Sequence, residues 1–333
     1  DWIASDDPRT MYQIPSSGQV VNTFPTKTFR LPVNKEAVLK SGVVALKDQA
    51  KIVPYIDVTI KDEVIYKNRL LMLDIIANNN WQRPIYFSGG SFGDDDYLWM
   101  KDYLQMDGVV YKLVPIKTPV DKDNPFDMGR VDADKSYEIV KNWDWGNSGD
   151  PAVYHDIETR RNGLTYRSNL ARIAEALLKE NKLDKAREIL DLAMEKMPVD
   201  TFAFYSLLEP YMQMYYSVNQ PEKARDIYAQ LAVVYQEKLL YFSSFKTNEQ
   251  IDMRREIYTD MERYRAVVTV LLAEDTKQYA LTGAIKFNEY IKLFPYLYNP
   301  DEGIELEDQS ALGSDTEIPA EASLQELLQS QAN

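Results

Sequence analysis

A chain of 333 residues with one histidine, His155, and no cysteine has few routes to covalent or metal chemistry. Thiol nucleophiles, disulfides and cysteine-bound zinc or iron-sulfur centres are excluded. A Ser-His-acid triad would have to use that single imidazole, and a histidine metal cluster cannot be assembled. His155 stands beside Asp156 with no serine nucleophile motif nearby, so an ion pair or a packed ring is its expected role. Acids are abundant, but no pair of carboxylates has the sequence context of a hydrolase. Neither a cofactor nor a metal is expected.

Three further groups merit attention. The run Ser88-Gly89-Gly90-Ser91-Phe92-Gly93 is placed where a strand would hand over to a helix, a position from which backbone N–H groups can cradle phosphate. Asp94-Asp95-Asp96 directly after it would repel that phosphate, so a turn followed by an acidic helix start is favoured. The same aspartates lack the alternating ligand spacing of a calcium loop. Trp143-Asp144-Trp145 sets two indoles at i, i+2, either a stacking platform for a sugar ring or buried packing. Tyrosines cluster at 205, 211, 215, 216, 228, 235 and 241, mostly at helical spacing and hence core. Any on a concave face would offer ring area and hydroxyls to a peptide or glycan. Trp143, Trp145, Tyr205, Tyr211, Tyr215 and Tyr216 are therefore the candidate binding residues.

The elements positioning these groups can be read from periodicity. Thr28 to Val33 reads as extended, Asn34 as the cap of a short helix stopping near Gly42, and Ile56, Val58 and Ile60 as one face of a strand. Leu70 to Ala77 is interrupted only by Asp74 and predicts a mostly buried helix. Pro84 to Phe87, Asp95 to Met106 and Val109 to Ile116 then read as strand, helix and strand, with Gly108 as the helix stop. The order β-α-β-α-β predicts a small α/β domain over residues 1–130 with a parallel sheet, truncated at its N-terminus so that its remaining strands lie upstream. Residues 131–164, punctuated by Gly and Pro, are expected to connect it to a helical domain.

Residues 165–298 carry the strongest pattern. Tetratricopeptide repeats pair two antiparallel helices in about 34 residues, with large apolar residues on the first and small ones on the second. Leu170, Ile173, Ala174 and Leu177 fill first-helix sites, Ala186, Leu190 and Ala193 second-helix sites, and Pro198 closes the unit. A weaker unit offset by 38 residues uses Leu208, Tyr211 and Tyr215, then Ala224, Tyr228 and Leu231, with Gln236 where Pro is usual. A third is recognisable at Gly283, Phe287, Tyr290 and Pro295, after a long helix from Asn248 to Glu274. The expected fold class is thus α+β and mostly α, a small α/β domain followed by tetratricopeptide-like repeats.

The net charge of −14 disfavours nucleic acid as a partner. Nine of the acids lie in residues 299–333, which hold no Lys or Arg and read as a solvated tail with one short helix at Ala322 to Gln329. No apolar run approaches the roughly 18 to 20 residues needed to span a bilayer. The opening Asp1-Trp2-Ile3, with no initiator Met or signal-like stretch, points to a segment of something larger.

A combination of motifs extends this reading. Ser5-Asp6-Asp7-Pro8-Arg9-Thr10, Pro25-Thr26-Lys27, the run from Ala77 through Trp81-Gln82-Arg83-Pro84 to Phe87, Asp102 to Gly108, Tyr111-Lys112-Leu113-Val114-Pro115 and Arg167 to Leu177 resemble one family, over about residues 5 to 200. It is a family of unknown function comprising large multi-pass inner-membrane proteins of Gram-negative bacteria. Their membrane half is similar to protein O-mannosyltransferases, which move sugar from a polyprenyl phosphate carrier. The resemblance implies a soluble C-terminal portion on the periplasmic face of the inner membrane, with the parent's membrane domain as a partner. It carries over no catalytic residue, because in that class the acids sit on loops between membrane helices. The function expected is non-catalytic binding and scaffolding that positions an acceptor polypeptide or partner. The alternative is a glycan-binding protein built on the same repeats.

Overall fold

In the computed structural model, residues 5–24, 26–62, 64–89, 93–120, 128–203, 205–299 and 303–304 are described. Gly90, Ser91 and Phe92 of the glycine loop, Asp1-Trp2-Ile3 and nearly all of the acidic tail, with its expected helix, lie outside them. Two compact units are formed, Asp1–Trp143 and Asp144–Asn333.

The first unit starts with an antiparallel pair, β1 (Met11–Gln13) with β2 (Val20–Asn22). A second pair joins β3 (Thr28–Pro32) to β4 (Tyr55–Thr59) across helix α1 (Lys35–Lys40), whose first turn is capped by Asn34 accepting from the Ala37 N–H at 3.0 Å. Alternation works as expected in β4: Ile56 and Val58 are fully buried, while Tyr55, Asp57 and Thr59 face outward. Arg30 and Asp57 stand opposite each other and form a two-pronged ion pair at 2.7 and 2.9 Å. Helix α2 (Lys67–Asn79) comes next and is broken by Asn80 and Trp81, both at positive φ. The unit closes with β5 (Tyr86–Phe87), β6 (Leu104–Asp107), β7 (Val110–Leu113) and β8 (Arg130–Val131), ordered β5-β7-β6-β8, and helix α3 (Ala133–Lys141).

Several expectations are corrected here. The parallel β-α-β-α-β sheet is replaced by separate small sheets in which, among the described residues, only β6 and β8 pair in parallel. Strand β4, expected to open the parallel sheet, pairs antiparallel with β3 instead, and β5 pairs antiparallel with β7 of the other sheet, so α2 joins two sheets and does not cross over within one. The helix expected from Asp95 to Met106 is instead two 3-10 turns and β6, because Leu98 and Trp99 adopt positive φ and stop any helix. Gly108, expected as a helix stop, turns the β6–β7 hairpin at φ +72. Helix α2 is less buried than its composition implies, with Leu71 60% and Ile75 52% exposed. Within the expected connector 131–164, Asp132 caps α3, whose Ala133, Ser136 and Val140 are buried on one face. That nine-residue pattern is too short to stand out among the surrounding Gly and Pro.

The second unit is helical throughout its described elements: α4 (Ile157–Lys179), α5 (Leu183–Lys196), the single turn α6 (Val199–Phe202), α7 (Glu209–Ser217), α8 (Pro221–Ser243), α9 (Thr247–Asp252), α10 (Arg254–Glu274) and α11 (Lys277–Ile291). Three-residue turns fold α4 onto α5 and α7 onto α8, and α10 packs on α11. Each pair also contacts the next, α4 and α5 through α7, then α7 and α8 through α10. The long helix expected from Asn248 is interrupted at Met253, where α9 ends and α10 begins. Leu170, Ile173, Ala174, Leu177, Ala186, Leu190 and Ala193 are all completely buried, and Pro198 caps α6. At Gly283 a Cβ would come within 2.8 Å of the Tyr228 hydroxyl, so α11 approaches α8 as closely as a side chain allows.

This packing is testable at Ala186, which has no exposed surface. Ala186→Leu forces extra volume between α4 and α5 and is expected to cost about 1–3 kcal/mol, seen as a lower urea midpoint. An unchanged midpoint would contradict the close approach.

Candidate functional site

Buried polar groups decide what the helical unit can do. Tyr211 and Tyr215 are buried, so as candidate binding residues they are corrected to core: their rings fill the seam of α7 and only their hydroxyls do polar work. Tyr211 donates to the Arg167 carbonyl oxygen at 2.6 Å. Tyr215 donates to Asp191 Oδ1 at 3.0 Å, and Lys223 reaches the same oxygen at 2.6 Å. The half-buried Tyr216 donates to Asp275 Oδ2 at 2.5 Å, while Arg225 grips Asp275 through Nε and Nη2 at 2.9 and 2.7 Å. The Arg225 guanidinium also lies 4.7 Å from the Tyr279 ring centre. Tyr205 is half-buried at the start of a 3-10 turn.

Burial pushes the Asp275 carboxyl up, but hydrogen bonds from Arg225, Tyr216 and the Thr276 N–H outweigh it and hold the group at about 2. The Asp275 hydrogen bond correspondingly raises Arg225. Arg167 is different. Its side chain is 1% exposed and donates to the carbonyls of Ala203 and Met197 at 2.6 and 2.8 Å, so this cation pins the segment after α5 through backbone oxygens. Burial lowers its pKa.

The remaining candidates occupy packed positions. Trp143 belongs to the first unit, where a Cβ on Gly108 would meet its ring at 2.8 Å. Trp145 belongs to the second, its ring tilted against Tyr166 at 5.8 Å. His155 Nε2 lies 3.0 Å from the Ser148 carbonyl oxygen and its ring rests 5.0 Å from that of Phe202, while Asp156 caps α4 through the Thr159 N–H. After the glycine loop, Asp94 pairs with Lys61, and Asp95 and Asp96 both pair with Arg69 at 2.5 Å. Those aspartates serve as counter-ions.

A cluster that sequence reasoning missed lies on the sheet of the first unit. Asp107 on β6 accepts from Gln105 Nε2 at 2.9 Å and pairs with Lys112 of β7 at 3.2 Å and Lys135 of α3 at 3.0 Å, with the Tyr86 hydroxyl 3.3 Å away. Burial drives Lys112 down to about 8 against the pull of Asp107. Burial also opposes ionisation of Asp107, but Gln105 and the two lysines win and lower it. A second group lines the same region, where Asp48 binds Arg130 and Lys51 at 2.7 Å and Lys47 binds Asp132 at 2.9 Å. Lys112 is 2% exposed, so this amine is shut off from any substrate and acts as a structural counter-ion. The signal was the hairpin register: a turn at Gly108 puts Gln105, Asp107 and Lys112 on one face, which a helical reading of Asp95 to Met106 hides. Among the described residues no group of three or more His, Cys, Asp or Glu could hold a metal ion, and no helix is long and apolar enough to cross a membrane.

Two measurements check this electrostatic account. Asp275 sits below its ordinary value of 3.8, so the folded state binds fewer protons and gains stability that is full above about pH 4 and lost as pH falls toward 2. The stability gap between the chain and Asp275→Asn should close over that window, and a constant gap would contradict the assignment. Asp107→Ala leaves Lys112 buried without its carboxylate and next to Lys135, and is expected to cost about 3–5 kcal/mol in urea denaturation. A loss no larger than that of a surface substitution would show the pair to be idle.

No curated protein and no solved structure was found to match the chain. Residues 1–135 match the family described as TMEM260-associated domain 2, a family linked to a membrane protein.

Proposed function

We propose that this chain is the non-catalytic, periplasm-facing portion of a membrane glycosyltransferase-like protein. On this reading its helical unit is a tetratricopeptide-type stack that positions an acceptor polypeptide or partner beside the parent's membrane domain. The observation that carries the proposal is the seam of small residues, Ala186, Ala193, Ala224 and Gly283, buried where paired helices meet. Such a seam lets pairs stack in one dimension, each contacting mainly its neighbours, and leaves a long outer surface for docking. The likeness of residues 1–135 to a domain family linked to a membrane protein supports the membrane context.

Several side chains that acid-base chemistry could use are committed to packing. His155 rests on a backbone oxygen, Asp191 and Asp275 each hold a cation and a tyrosine, and Asp107 is enclosed by lysines. A group so engaged makes a poor general acid or base, because reaction would first require breaking its ion pair. The chain alone is therefore expected to release or transfer no sugar from a polyprenyl phosphate carrier, while retaining labelled acceptor polypeptide in fluorescence anisotropy. Turnover of the carrier by the chain would overturn the non-catalytic reading, and absence of polypeptide binding would overturn the docking role.

A further inference from the structure

Helix α2 is held to the first unit by one side alone. At about 100° of turn per residue, its buried Leu73 and Ile76 point to one side, while Lys67, Leu71, Asp74, Ile75 and Asn78, all exposed, line the other. Leu71 and Ile75 stand one turn apart on that outer face, with 60% and 52% of their surfaces in water. A scattered exposed leucine is ordinary, but here an i, i+4 apolar pair sits on a helix that buries only two side chains.

The charges beside this pair depart from those around them. Lys61 is matched by Asp94, and Arg69 by Asp95 and Asp96. Lys67 and Asp74 form no ion pair among the described residues, and two turns of helix, about 10 Å, keep them from neutralising each other. Asn78 Nδ2 donates to Asp74 Oδ1 at 3.1 Å and steadies the carboxylate on the same face. Along the axis the face reads cation, leucine, anion, isoleucine.

That order is its own complement when reversed. With a second α2 antiparallel across a twofold axis between Leu70 and Leu71, each Lys67 comes level with Asp74 of the other copy, and the two Leu71 side chains meet beside the axis. Each Ile75 comes level with Tyr66, 67% exposed, where the other helix begins. A parallel pair would instead set lysine against lysine and aspartate against aspartate. A partner of one charge would leave either Lys67 or Asp74 unmatched, and a bilayer that took Leu71 and Ile75 would strand Asp74 in lipid.

We propose that α2 is the contact of a symmetric antiparallel homodimer of this chain, closed by Leu71 at the axis and by two Lys67–Asp74 pairs. One helix face buries less than the roughly 800 Å² per partner of a standard interface, so the dimer is weak, with a dissociation constant on the order of 100 μM. The inference does not rest on polypeptide docking, which uses the helical unit, so either can fail alone.

Sedimentation velocity of the chain from about 5 μM to about 1 mM, a range that brackets such a constant, should show the mass rise from 38.5 kDa toward twice that value. Leu71→Glu places two carboxylates at the axis and should abolish the rise. Lys67→Asp and Asp74→Lys each reverse both ion pairs, and each should weaken the dimer by about tenfold. Combining Lys67→Asp with Asp74→Lys in one chain restores opposite charges across the axis and should recover the original affinity. A role of either residue within its own monomer would produce no such rescue. All three positions are exposed; circular dichroism confirms folding, and the charge variants decide the matter if Leu71→Glu does not fold. A chain that stays monomeric at the highest concentration overturns the proposal. So does a dimer indifferent to Leu71→Glu, or a double variant that associates no more tightly than either single one.

Discussion

The hydroxyls of the α7 tyrosines find their hydrogen-bond partners on neighbouring helices, and in the helical unit those bonds tie one helix pair to the next. Helix α7 has only nine residues, of which Tyr211, Met212, Met214 and Tyr215 are buried. From it Tyr211 reaches back to the Arg167 carbonyl on α4, Tyr215 to Asp191 on α5, and Tyr216 forward to Asp275 between α10 and α11. Further along, Gln236 of α8 donates to the Tyr264 hydroxyl of α10 at 2.7 Å. The apolar rings fill the core and their polar ends set the register between neighbours. Lys223 and Arg225 then neutralise the two acids on which this register depends.

Close helix approach makes those bonds possible. Ala186 and Ala193 on α5, Ala224 on α8 and Gly283 on α11 are small where a partner helix passes, so a phenol crossing from one pair meets its acceptor at hydrogen-bonding distance. In the first unit the same economy takes an ionic form. Asp107, Lys112 and Lys135 lock a four-stranded sheet too small to bury a large apolar core, and Arg130, which opposes Gln105 in the parallel β6–β8 pairing, ties that edge strand to Asp48.

The helical pairs were legible in the sequence because their signal is redundant. Leu170, Ile173, Ala174 and Leu177 repeat at helical spacing, and Ala186, Leu190 and Ala193 answer them across a short turn. The strand at Ile56 and Val58 was equally plain, since one face is buried and the other wet. Strand pairing was not, because antiparallel and parallel partners share the same alternation, and β3 and β4 pair antiparallel across a connection long enough for either. The two positive-φ residues Leu98 and Trp99 gave no warning, as neither type is associated with a left-handed backbone. For the candidate site, density of tyrosine was visible but direction was not. Tyr211 and Tyr215 turn inward because α7 is covered on the sides facing α4, α5 and α8, a fact of tertiary packing. Long-range ion pairs such as Arg225 with Asp275, fifty residues apart, leave no local trace.

Replacing the α7 tyrosines with phenylalanine isolates the central claim, since it keeps each ring and removes only the hydroxyl. Urea denaturation of Tyr211→Phe, Tyr215→Phe and Tyr216→Phe, singly and combined, followed by helical circular dichroism, is the direct measurement. Each hydroxyl is expected to contribute about 1–3 kcal/mol, the two bound to carboxylates most, and the triple variant should unfold over a broader transition as neighbouring pairs lose their register. A triple variant with the midpoint and slope of the unaltered chain would contradict the account, leaving apolar packing alone to hold the stack.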